Sequence, residues 1–170
     1  MVRLFPTLLT VSFVGATLLI GAHAQAQPRH HHTGTACKPN NGDLAKINYT
    51  DNQGVTNVST SASAKVYCPV DHTLDPNGLL RPGTLRLMVI DRSSEAVSCT
   101  LKHVASDGTD VQTIGPINST GNSSTAQALT FTIPPPGANP RGYLNLICTL
   151  PRAGSSTTRS HVVSYKLIMQ

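Results

Sequence analysis

The sequence predicts an all-β domain, a two-layer antiparallel β-sandwich with Greek-key or jelly-roll connections and two disulfides. Three observations carry this expectation. Apolar and polar residues alternate in about nine short segments, the period of a half-buried strand. Gly, Pro, Asn and Asp punctuate the intervals, and no long window shows helical periodicity with caps. Four cysteines, an even number, lie in or beside these segments.

The first two dozen residues read as a secretion signal. Arg3 is the positive start, Leu8 to Ile20 the apolar run, and Ala22-His23-Ala24 the small-residue cleavage pattern, which leaves residues 25–170. Residues 25–36, with Pro28 and the triplet His30-His31-His32, lack apolar periodicity and read as a flexible leader. Residues 37–170 form the single domain. No later stretch approaches the ~20 apolar residues of a spanning helix, which predicts a secreted or periplasmic protein without a transmembrane segment in the mature chain.

Within the domain, Lys46 to Thr50 and Val55 to Ser59 flank the turn Asp51-Asn52-Gln53-Gly54. Ala64 to Val70 sets Val66, Cys68 and Val70 on one face. Asp75-Pro76-Asn77-Gly78 is turn chemistry: proline fixes φ, and Asn-Gly accepts positive φ. Thr84 to Asp91 turns Leu85, Leu87 and Val89 inward and Arg86 and Met88 outward. Ala96 to Val104 and Val111 to Ile117 flank Asp107-Gly108. Leu129, Phe131 and Ile133 alternate with threonines in a strand with one wet face, and Pro134-Pro135-Pro136 must leave the sheet because proline cannot donate to a ladder. Tyr143 to Leu150 and His161 to Met169 complete the set, with Val163, Tyr165, Leu167 and Met169 expected on one face.

Cys37, Cys68, Cys99 and Cys148 allow three connectivities. Val97-Cys99-Leu101 and Leu146-Cys148-Leu150 are matching inward sets on facing or neighbouring strands, which favours Cys99 with Cys148 and leaves Cys37 with Cys68. The lack of any C-x-x-C pair argues against a thioredoxin-like site and the usual zinc spacings. The expected role is structural.

The arrangement Val66-Tyr67-Cys68-Pro69-Val70, then Ser98-Cys99-Thr100-Leu101, then Cys148-Thr149-Leu150-Pro151 and Val163-Ser164-Tyr165 resembles a family of small exported bacterial proteins of uncharacterised activity, with a signal peptide and four cysteines. The resemblance implies bacterial export and one disulfide-linked β domain. Chaperone-assembled pilins are a more distant comparison, from which this chain departs in its second cysteine pair and its ending Ile168-Met169-Gln170.

Catalytic chemistry has little to work with. Glu95 is the only glutamate, and the carboxylate pairs Asp71 with Asp75 and Asp107 with Asp110 sit in turn-like sequence. A hydrolase using His72 with Asp71 or Asp75 lacks a G-x-S-x-G elbow to expose a nucleophile. Asp75-x-Asn77-Gly78 resembles part of a calcium loop without its closing acid. His30, His31 and His32 are candidate ligands for a transition metal, through neutral imidazoles. Four sequons occur, at Asn48, Asn57, Asn118 and Asn122.

The net charge of +5 comes from Lys and Arg residues spaced singly, with Arg81, Arg86 and Arg92 the one loose group, and there is no Trp. That pattern lacks the clustered cations and stacking aromatics of a nucleic-acid binder. Tyr67 and Tyr143 are the aromatics expected to point away from the core, where a sugar face stacks. The sequence reading is therefore a non-catalytic exported β-sandwich that needs no cofactor and acts by surface binding to a protein or glycan of the envelope or extracellular space. A hydrolase built on His72 and a metal-handling protein built on the His tract are its alternatives.

Overall fold

Alternation decides which side of the long strands is dry, and among the described residues eleven strands form two antiparallel sheets. The computed structural model describes residues 29–50, 54–71, 81–135 and 142–169. The strands are β1 (Arg29–Thr33), β2 (Lys38–Pro39), β3 (Ile47–Thr50), β4 (Gly54–Asn57), β5 (Ala64–Val70), β6 (Gly83–Ile90), β7 (Ser98–Ala105), β8 (Asp110–Asn118), β9 (Ala126–Ile133), β10 (Gly142–Leu150) and β11 (His161–Met169). The first sheet has the order β3-β4-β11-β6-β9, with β1 also paired to β11; the second has the order β2-β5-β10-β7-β8. Consecutive strands repeatedly change sheet, so the connections run over the ends of the sandwich. The expected secretion signal and the expected turn at residues 75–78 lie outside the described residues.

The core lies between the sheets. Leu85, Leu87 and Val89 of β6, Leu129, Phe131 and Ile133 of β9, and Tyr165, Leu167 and Met169 of β11 face Val66, Leu101, Leu146 and Leu150 from the second sheet, and all are buried. Burying a Leu, Val or Phe side chain stabilises by roughly 1.5–3 kcal/mol, so this interdigitated set is the main driving force for folding.

Three expectations need correction. Residues 29–36 of the expected flexible leader are ordered: β1 pairs with β11 from Arg29↔Ile168 to Thr33↔Ser164, and a short 3-10 turn follows at Gly34–Ala36. The leader lacks apolar periodicity because it docks on an existing strand, whose backbone groups it satisfies. Val163 does not share the face of Tyr165. A register shift between Val162 and Ser164 buries Val162 in place of Val163, as a bulge does when one strand carries an extra residue. Tyr49, too, faces partly outward, 42% exposed, with its hydroxyl donating to the Cys37 carbonyl at 3.0 Å.

The bulge is also where the chain packs most closely. A Cβ added to Gly34 would lie 1.8 Å from the Val162 carbonyl oxygen, and one added to Gly54 would lie 2.0 Å from the same atom. Gly54 also has a φ of +78°, which L side chains rarely adopt.

Both disulfides have the expected pairing, Cys37–Cys68 and Cys99–Cys148. Cys99 and Cys148 are direct cross-strand partners on β7 and β10, so this bond staples one sheet rather than joining the two. Cys37 follows β1 and precedes β2, so its bond to Cys68 of β5 pins the crossing from the first sheet to the second. On the chain-entropy model each loop closure contributes about 4 kcal/mol.

Three crossings at one end converge on a buried carboxylate. Asp91 is fully buried just after β6. Its Oδ1 accepts from Ser160 Oγ at 2.6 Å and from the Ser93 amide at 3.2 Å; its Oδ2 accepts from the Val97 amide at 3.0 Å and from the Ser119 hydroxyl. Those donors belong to the β6–β7, β8–β9 and β10–β11 connections. Asp91→Ala is expected to cost about 3 kcal/mol in urea unfolding, since it strands several buried donors, and Asp91→Asn should cost less.

His161 supplies a pH dependence. It is buried opposite Thr56 and Ile90, with no hydrogen-bond partner for Nδ1. Burial, and after it the charges of Arg92 and Arg159, pushes the imidazole down to about 4 from its ordinary 6.5. Between those values the unfolded chain binds more protons than the folded one, so stability is lost as pH falls through that interval. The unfolding free energy measured in urea should drop from pH 6.5 to 4 by an amount on the order of 2–3 kcal/mol, and His161→Gln should flatten the profile.

Candidate functional site

A concavity lies on the outer face of the second sheet, and strand alternation builds it. On β5, Val66, Cys68 and Val70 point into the core, which turns Lys65, Tyr67 and Pro69 outward. On β10, Leu144, Leu146 and Cys148 are buried, which turns Tyr143, Asn145 and Ile147 outward. Register sets Tyr67 beside Ile147 and Pro69 beside Asn145, and Lys38 of β2 lies across from Tyr67 on the other side. Tyr67, Pro69, Asp71, Tyr143, Asn145 and Lys38 line a groove of about 530 Å³. That volume falls within the range of small-ligand sites.

The two tyrosines picked out by sequence therefore meet in one groove. Tyr143 is 49% exposed and Tyr67 half-buried. The groove pairs apolar ring surface with an amide at Asn145, a cation at Lys38 and a carboxylate at Asp71. Asn145 and Pro69 were open to recognition from the alternation of their strands. Lys38 was not, because the two-residue strand that carries it has no periodicity of its own.

One wall is braced from the first sheet. The Tyr165 hydroxyl donates to the Pro69 carbonyl at 2.6 Å, and burial, with the Asp71 charge nearby, raises its pKa well above the ordinary tyrosine value. His32 stacks on the Tyr165 ring with centroids 5.0 Å apart, and its Nε2 lies 3.3 Å from the Asp71 carboxylate. Asp71 thus lies beside the imidazole of β1.

The other sequence candidates are dispersed. His72 and Asp75 lie outside the described residues, as does the calcium-like turn. The His tract does not converge: in a strand successive side chains take opposite faces, so His31 lies opposite to His30 and His32. Among the described residues no group of three His, Cys, Asp or Glu side chains is arranged to hold a metal ion. Asp107 accepts from the Thr109 amide at 2.9 Å and hydroxyl at 2.7 Å, bonds that hold its carboxyl below the usual range, and Asp110 pairs with Lys102. Glu95 pairs with Arg152 at 3.2 Å.

The sequons divide by burial. Asn48, Asn118 and Asn122 are exposed. Asn57 is fully buried, its amide donating to the carbonyls of Ala62, Leu150 and Pro151 and its Oδ1 accepting from the Ser59 amide. It joins the first sheet to the end of β10 and is a structural residue.

No protein-family model and no curated protein sequence matches the chain. Solved structures resemble it in fold. The xylan-binding module CBM15 superposes with a TM-score of 0.51 at 14% sequence identity, covering 85% of this chain and 97% of that module. Looser superpositions include the CBM36-1 domain of a multidomain xylanase from the hindgut metagenome of Trinervitermes trinervoides, with a TM-score of 0.46 at 11% identity over 82% of this chain and 96% of that one. At such identities the likeness to CBM15 establishes a shared sandwich fold. No helix among the described residues is long and apolar enough to cross a membrane.

Asn57→Ala is expected to lower stability in urea by about 2–3 kcal/mol, because the buried carbonyls of Leu150 and Pro151 lose their donor. Asn118→Ala at an exposed sequon should stay within about 0.5 kcal/mol of the parent.

Proposed function

We propose that the protein is a non-catalytic glycan-binding β-sandwich, exported to a secreted or periplasmic location by the segment 1–24, and that the groove between β5 and β10 is its binding site. The observation that carries this reading is the convergence of Tyr67 and Tyr143, from strands distant in sequence, on one groove with Asn145, Lys38 and Asp71 at hand. A sugar ring offers apolar C–H faces and equatorial hydroxyls. Tyrosine rings suit the faces, and an amide, an ammonium and a carboxylate suit the hydroxyls. The xylan-binding module with the same fold supports a polysaccharide ligand, and the two disulfides suit an oxidising compartment. Kinship with the exported bacterial four-cysteine proteins belongs to the same proposal.

Titration calorimetry of the full chain against neutral oligosaccharides of xylan, glucan and mannan tests it. One of these should bind, and Tyr143→Ala and Tyr67→Ala should each weaken binding about tenfold while leaving the melting temperature unchanged. Absence of binding to every oligosaccharide at millimolar concentration, or tyrosine variants that bind like the parent, would overturn the assignment.

A further inference from the structure

The opposite face of the sandwich has a different electrostatic character. The six strands of the first sheet contain no Asp or Glu. The four ion pairs among the described residues draw their acids from elsewhere: Asp43, Asp71, Glu95 and Asp110. On the outer side of this sheet the register places Arg86 opposite Lys166, and Lys166 opposite His31. Arg29 lies two residues along β1 from His31, on the same face. Arg86, His31 and Arg29 are exposed and Lys166 is half-buried. Among the described residues Arg29, Arg86 and Lys166 enter no ion pair and no side-chain hydrogen bond.

Arg86 and Lys166, like charges directly opposite one another on neighbouring strands, destabilise the sheet by a few tenths of a kcal/mol or more, and no acidic side chain of these six strands offsets that cost. Their charge is therefore available to an external anion. Strand spacing makes the row Arg86–Lys166–His31 about 10 Å long and, being held by a sheet, rigid. Hydroxyls flank it: Thr130 continues the row beyond Arg86, and Thr84 and Ser164 adjoin it.

We propose that this face binds a linear polysaccharide bearing carboxylate or sulfate groups, laid across β6, β11 and β1. The chemistry of the face favours that occupant over two others. An anionic bilayer rewards inserted apolar side chains, and of the large exposed hydrophobic residues Leu44, Tyr49, Val111 and Tyr143 none is on β1, β6, β9 or β11. Single-stranded nucleic acid rewards stacking, and the aromatics of these strands, Phe131 and Tyr165, are buried in the core. The site is separate from the tyrosine groove and stands or falls without it.

Affinity measurements on the full chain with polygalacturonate, dextran sulfate and uncharged dextran test the proposal. Binding to at least one acidic polymer is expected at about 50 mM salt, weakening by roughly tenfold or more at 200 mM, with no binding to dextran. Arg86→Gln with Lys166→Gln should weaken it at least about tenfold, and Arg86→Lys should retain it. Lys46→Gln with Arg152→Gln removes the same net charge elsewhere and should cost less than about threefold, and Tyr143→Ala should have no effect. Equal losses in the two double variants would reduce the effect to net charge and overturn the proposal. So would no binding to either acidic polymer, or tighter binding to duplex DNA or phosphatidylglycerol vesicles. Melting temperatures of both double variants confirm that the comparison is between folded proteins.

Discussion

The carboxylate of Asp91 is the interaction on which the ordering of the sandwich turns. A strand that ends in one sheet and resumes in the other must leave its ladder, and its backbone groups then need new partners in a drying environment. Asp91 meets that need for three connections at once, with backbone amides of Ser93 and Val97 and hydroxyls of Ser119 and Ser160 all directed at its two oxygens. Burying a carboxylate is costly, and charge-assisted bonds from several donors are what offset it. Backbone bonds from Ser123 to the Asp91 carbonyl and from Asn122 to the Ser93 carbonyl extend the same knot. With the crossings fixed there, the strand ends cannot slide, and the register that creates both outer faces follows.

The two sheets are otherwise joined by packing and a few polar ties. Tyr165 reaches Pro69 across the core, and Asn57 reaches the carbonyls at the end of β10. Cys37–Cys68 holds the first crossing. The last strand is the hub of the first sheet: β6 lines one side of it, while β4 and β1 share the other. The bulge at Val162–Ser164 separates the part of β11 that serves β4 from the part that serves β1. Two glycines crowd that point because no side chain fits there.

The faces that result differ in kind. The second sheet presents a groove with two tyrosines and mixed polarity, suited to a neutral, ring-shaped ligand. The first presents Arg86 and Lys166 side by side with His31 next to them on a rigid sheet, and no exposed Tyr, Phe or Trp on β1, β6, β9 or β11. Both follow from alternation: once the dry side of each strand is set, the wet side is determined residue by residue. The brace from His32 and Tyr165 to Asp71 and Pro69 gives the groove wall a backing that depends on β1 being docked.

Alternation, turn chemistry and cysteine context determined the all-β class, nearly all the long strands, the inward sets of the core and the disulfide pairing, because these are local consequences of period and residue type. β5 and β11 have the very bounds that their apolar periods mark. The outward direction of Tyr67 and Tyr143 was likewise legible from their neighbours on the strand. Other features were set by partners remote in the chain. β1 and β2 lack a period of their own and exist because β11 and β5 offer them open backbone groups. The bulge moved Val163 off the core through an extra residue that pattern alone does not reveal. Arg86, Lys166 and His31 are isolated in sequence and form a row only through cross-strand register, and Asn57 reads as a sequon on a short strand and Asp91 as a strand end until the crossings close around them. Period is a property of a segment, whereas register, burial of polar groups and the meeting of distant side chains belong to the packed whole.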